Sequence, residues 1–84
     1  GQSLELELGL NTDATGLNRQ WFVSLSRENQ LRSLALFLKK HQMYNFTSGQ
    51  LKEIQKRLDK NQKDIKFELL GRKWVINASQ IMLQ

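Results

Sequence analysis

The chain has 84 residues, a formal net charge of +5, 39% apolar residues, no cysteine and no proline. That length holds one small domain and not two, and such a domain buries about 60% of the surface its unfolded chain exposes. The missing cysteines exclude disulfides and thiolate zinc sites, which fits a reducing, cytoplasmic setting, and no apolar run approaches the roughly 20 residues of a membrane helix.

In chain order, the first residues are Gly1-Gln2 with no initiating methionine and no signal-peptide pattern, so we expect a domain cut from a longer protein. "SLELELGL" alternates Leu4, Leu6, Leu8 and Leu10 with polar or small residues, which is period two and predicts a half-buried strand. "NTDATG" then reads as a loop or turn, and Leu17, Trp21 and Leu25 stand at the spacing of a short helix. Residues 1–16 are thus expected to form an N-terminal strand and loop ahead of a core over 17–84.

Ser26 suits an N-cap, with Glu28 in the first turn and Lys39-Lys40 in the last, each matched to the helix dipole. Leu31, Leu34, Ala35, Phe37 and Leu38 form a stripe between them, which predicts a helix from about 27 to 41. "NFTSGQL" has a glycine beside two hydroxyl residues, but a phosphate loop needs more glycines followed by a lysine. With Thr47 as N-cap, Gln50 instead completes a capping box, and Phe46 and Leu51 occupy the positions of a hydrophobic staple. A helix follows, with Leu51, Ile54 and Leu58 on one face and a Glu53–Arg57 pair on another.

From Ile65 the period returns to two. Ile65, Phe67 and Leu69 alternate with charges, Gly71 marks a turn, Trp74 to Ile76 run extended, "NAS" turns again and Ile81 to Leu83 close the chain. The fold class expected is α+β: two or three helices packed on a short antiparallel β-meander.

Residues for chemistry are scarce. His41 is the lone histidine and reads as a surface residue; a metal site needs partners that the sequence does not place beside it. No carboxylate pair and no serine with a histidine and an acid stands out, so no catalytic residue is assigned and no cofactor is expected within this chain.

Charge is the stronger signal. Residues 1–38 carry three arginines against four acids, while residues 39–84 carry ten lysines and arginines against four acids. Lys52, Lys56 and Lys60 recur every four residues along one helix, Lys63 and Lys66 follow, Arg72-Lys73 flank the turn, and Lys39-Lys40 end the preceding helix. Such a row suits nucleic-acid phosphates, because each neutralised phosphate releases condensed counterions. The plainer reading is the solvated side of an amphipathic helix. Trp21, Tyr44 and Trp74 could stack on bases, although burial is the commoner fate of both tryptophans.

"LRSLALFLKKHQMYNFTSGQLKEIQKRL" followed by "FELLGRKWVINASQIML" resembles the substrate-binding domain that follows the catalytic domain in bacterial tRNA(Ile)-lysidine synthases. The likeness rests on Phe37-Leu38-Lys39-Lys40 at a helix end, Thr47 and Leu51 at a capped helix start, and a Leu70-Gly71 turn, and it covers roughly residues 17–84. Where the family often has proline before the cap and arginine after it, this chain has Phe46 and Ser48, so any contact of that arginine is not carried over.

The resemblance implies a parent enzyme that uses ATP and Mg to join lysine to the wobble cytidine of a minor isoleucine tRNA, in the cytoplasm. Its pyrophosphate loop would lie in another domain. It implies tRNA and the neighbouring domains as partners of this piece, which agrees with the basic row read independently above: Lys39, Lys40, Lys52, Lys56, Lys60, Lys63, Arg72 and Lys73 are the residues expected to meet RNA, and no membrane partner is expected. Oligomeric state is not implied. Two other readings stay open: a winged-helix DNA-binding module with 47–60 as recognition helix, and a protein-interaction module whose strand "SLELELGL" joins a partner's sheet.

Overall fold

In the computed structural model, which describes residues 3–13, 16–58 and 63–84, the first element is a helix and not the expected strand. Ser3 accepts a hydrogen bond from the Leu6 amide at 3.2 Å and opens helix α1, Leu4–Leu10. Glu5 and Glu7 sit in its first turn, where acids suit the helix dipole, and leucine and glutamate are good helix formers. The period-two pattern then divides: Leu8 is buried, whereas Leu6 and Leu10 are exposed. A partner-sheet role for this segment as a strand falls with that correction.

After the loop, Gly16–Asn18 form a three-residue strand, β1, that the sequence reading had placed in a turn and a helix. Leu17 is fully buried in it. Asn18 caps helix α2, Arg19–Ser24, by accepting from the Trp21 amide at 3.2 Å. Leu25 is extended, and Ser26 caps helix α3, Arg27–Lys40, by accepting from the Asn29 amide. Leu34, Phe37 and Leu38 turn inward, as the stripe predicts.

The α3 terminus is a Schellman motif: the Met43 amide donates to the Leu38 carbonyl and the Gln42 amide to the Lys39 carbonyl, both at 2.9 Å. Gln42 takes the left-handed conformation there, with φ 62°. Helix α4, Ser48–Leu58, starts at the expected capping box: the Gln50 amide donates to Thr47 Oγ1 at 3.1 Å, and the Thr47 amide to Gln50 Oε1 at 2.8 Å. "NFTSGQL" is a helix start. Buried glutamines tie the helices together. Gln55 Nε2 donates to Gln30 Oε1 and to the Arg27 carbonyl, each at 2.9 Å, and Gln30 Nε2 donates to the Phe22 carbonyl.

Strands β2 (Ile65–Leu69), β3 (Arg72–Ile76) and β4 (Gln80–Leu83) form the meander, and β1 pairs with β4. The sheet order is β1-β4-β3-β2, antiparallel throughout. Leu70 (φ 58°) and Gly71 (φ 73°) make the two-residue β2–β3 turn, whose paired positive φ values match the right-handed strand twist. Asn77 Oδ1 organises the next turn by accepting from the Ser79 and Gln80 amides. Trp74 and Ile76 of β3 and Ile81 of β4 join Leu17, Leu34, Phe37, Leu38, Ile54 and Leu58 in one core, giving the α+β class expected. Each fully buried side chain of this size contributes about 2 kcal/mol of transfer free energy.

Candidate nucleic-acid interface

The basic residues fall into groups set by their elements. Lys39 and Lys40 are exposed in the last turn of α3. They line the grooves between α3 and α1, together with Glu5 and Leu36. Lys52 and Lys56 are exposed one turn apart on α4, opposite the buried Ile54, Gln55 and Leu58. Lys60, expected to continue that row, lies outside the described residues. Lys63 is exposed just before β2, and its carbonyl accepts from Arg19 Nη1 at 3.5 Å.

Arg72 and Lys73 part company. Alternation along β3 puts Arg72 on the inward side with Trp74 and Ile76, while Lys73 shares the outward side with Val75 and stands opposite Glu68 of β2. Arg72 is half-buried and its Nε donates to the Gln84 carbonyl at 2.8 Å. Lys66 also faces outward, opposite Val75.

Between described residues, the ion pairs are Arg32–Glu28 at 3.4 Å and Arg57–Glu53 at 3.1 Å. None of Lys39, Lys40, Lys52, Lys56, Lys63, Lys66 and Lys73 takes part in one. Their charges are met by solvent and remain open to an external anion. Arg57 differs, since its guanidinium is held by Glu53 and lies 5.0 Å above the Phe67 ring.

The aromatic residues form an internal ladder. Phe67 stacks on Trp74 at 5.7 Å, Trp74 meets Phe37 at 6.3 Å, and Phe37 meets the His41 ring edge-on at 4.7 Å. Trp74 is fully buried, and its Nε1 donates to the Leu69 carbonyl, so it offers no face to a base. Trp21 is half-buried, and Tyr44 is exposed. His41, expected on the surface, is half-buried against Phe37; burial first, and the Arg72 guanidinium second, lower its pKa from the ordinary 6.5.

A residue that sequence reading assigned no role is Arg19. It is buried, and its guanidinium donates to the Leu58 carbonyl at 3.4 Å and the Asn77 carbonyl at 2.9 Å as well as to Lys63, joining the end of α4 to the β3–β4 turn. An arginine in a polar stretch carries no sequence mark of such a role. Among the described residues, no group of three or more His, Cys, Asp or Glu could hold a metal ion, and no helix is long and apolar enough to cross a membrane.

No protein-family model and no solved structure matches the chain. Over 69 residues it is 45% identical to the tRNA(Ile)-lysidine synthase of Bdellovibrio bacteriovorus strain HD100, a match that takes in 82% of this chain and 22% of that protein. The chain thus spans about a fifth of the length of the curated relative it matches.

Proposed function

We propose that this chain is the RNA-gripping part of an enzyme of the tRNA(Ile)-lysidine synthase kind, and that its exposed lysines hold tRNA by its phosphates. The observation that carries this reading is the set of lysines on α3, α4 and the outer sheet face that lack an acidic partner among the described residues. The 45% identity to a lysidine synthase supports tRNA as the polyanion. RNA helices are held mainly through phosphates, 2′-hydroxyls and shape, which suits exposed ammonium groups. Joining lysine to the wobble cytidine, with ATP and Mg, belongs on this reading to the rest of the parent protein in the cytoplasm. The described residues gather neither a glycine-rich phosphate loop nor a carboxylate cluster, so no step through ATP or Mg is assigned to them.

The test is tRNA affinity of the 84-residue chain measured across a salt series. Replacing Lys52 and Lys56 with alanine is expected to weaken binding and to flatten the log K against log salt slope by up to about one unit per lost phosphate contact. Arg32→Gln, at a residue already paired with Glu28, leaves the slope unchanged. An unaltered slope in the lysine variant would remove α4 from the interface. Absence of tRNA binding in dilute buffer would refute the reading, and preferential capture of duplex DNA would favour the winged-helix alternative.

A further inference from the structure

Tyr44 is 66% exposed, and every other aromatic residue of the chain is buried or half-buried. It does not hang from a loose loop. One residue earlier, Met43 closes the Schellman motif and packs against the core. Two residues later, Phe46 packs against the core at the foot of the Thr47–Gln50 capping box. Both neighbours are thus anchored, and the Tyr44 ring is presented outward from a fixed backbone.

The stretch of chain on either side of Tyr44 carries one sign of charge. Residues 29–52 contain Arg32, Lys39, Lys40 and Lys52 and no aspartate or glutamate. Tyr44 lies in the middle of that acid-free run, between the lysines that end α3 and the first lysine of α4. A flat exposed ring within a basic stretch of chain, with no carboxylate in that run, matches the chemistry of an unpaired nucleotide, whose base has a π-face and whose backbone is anionic. A ring on a pre-ordered backbone also loses little conformational freedom on stacking.

We propose that Tyr44 is a stacking platform for an unpaired base of the bound RNA, with Lys39, Lys40 and Lys52 meeting the flanking phosphates. This inference rests on the RNA-gripping reading above and adds a contact to a single-stranded element. Stacking tolerates any base, so the platform adds affinity without selecting sequence.

The experiment compares Tyr44→Ala and Tyr44→Phe in the 84-residue chain, measuring affinity for tRNA, for a short single-stranded RNA and for a blunt RNA duplex. Tyr44→Ala is expected to weaken binding of tRNA and of the single strand by about tenfold while leaving the duplex and the salt slope unchanged. Tyr44→Phe, which keeps the ring, retains wild-type affinity. Thermal unfolding of both variants should match the wild type, because the ring is exposed. Unchanged affinity for the single strand in Tyr44→Ala, or an equal loss on the duplex, overturns the inference and leaves the RNA-gripping reading standing. Altered self-association without altered RNA affinity would assign the ring to a protein contact and also overturn it. A wild-type chain that binds no RNA removes both readings together.

Discussion

Gln42 holds φ 62° at the position that ends α3, where helices most often place glycine. A side chain with a Cβ is disfavoured there by about 1–2 kcal/mol. Gln42→Gly is therefore expected to raise stability by about 0.5–1 kcal/mol, the remainder being offset by the greater freedom of glycine in the unfolded chain. Urea unfolding midpoints measure this, and a lowered midpoint would mean that the glutamine side chain makes a contact worth more than the strain. Leu70 occupies the same backbone region in the β2–β3 turn, but its side chain packs against the core, so burial offsets the strain. The adjoining His41 adds a pH dependence. Its pKa in the folded chain lies below the ordinary 6.5, so between the two values the unfolded chain binds more protons. Stability is fully present above about 6.5 and falls as pH drops through that window; His41→Asn should flatten the fall, and parallel curves for both proteins would remove His41 as its source.

At the scale of elements, Gly16 decides whether β1 can join the sheet. A Cβ at this position would fall on the Ile81 carbonyl, which is backbone and cannot swing aside. Gly16→Ala should therefore cost about 1–3 kcal/mol and lower the melting temperature, and an unchanged melt would show that β1 is not closely seated on β4. Legibility in the sequence varied by element for physical reasons. Helices α3 and α4 carry redundant marks: Ser26 and Thr47 caps, bases in the last turn of each, an acid in the first turn of α3, and apolar stripes at three- and four-residue steps. Helix α1 has seven residues, too few for period two and period 3.6 to separate, and Ser3 with Glu5 and Glu7 was the helical signal that outweighed alternation. Strand β1 has three residues, and it is defined by its pairing with β4 far along the chain, not by anything local. The hairpin β2–β3 was readable because alternation and a Leu-Gly turn coincide at the same place.

Across the whole molecule, the excess of positive charge in residues 39–84 was readable from composition, and the exposure of Lys39, Lys40, Lys52, Lys56, Lys63 and Lys73 agrees with it. The spatial division was not readable. Neighbours in sequence such as Arg72 and Lys73 take opposite sides of a strand, and Arg57, one residue beyond Lys56, is drawn inward onto Phe67. On the proposed reading, long-range steering of an RNA would depend on the summed field of these groups, and their final contacts on the separate faces. The sheet order has a further bearing on how the chain reaches this state. Leu17 finds its partner in Ile81, so β1 stays without a ladder while nearly everything between them is being made. During synthesis the helices can assemble as they leave the ribosome, but the last strand inserts between the first and third only after it emerges. Nascent chains would thus complete their sheet in a late step, and a stall ahead of Gln80 would leave the hairpin β2–β3 formed and the first strand waiting.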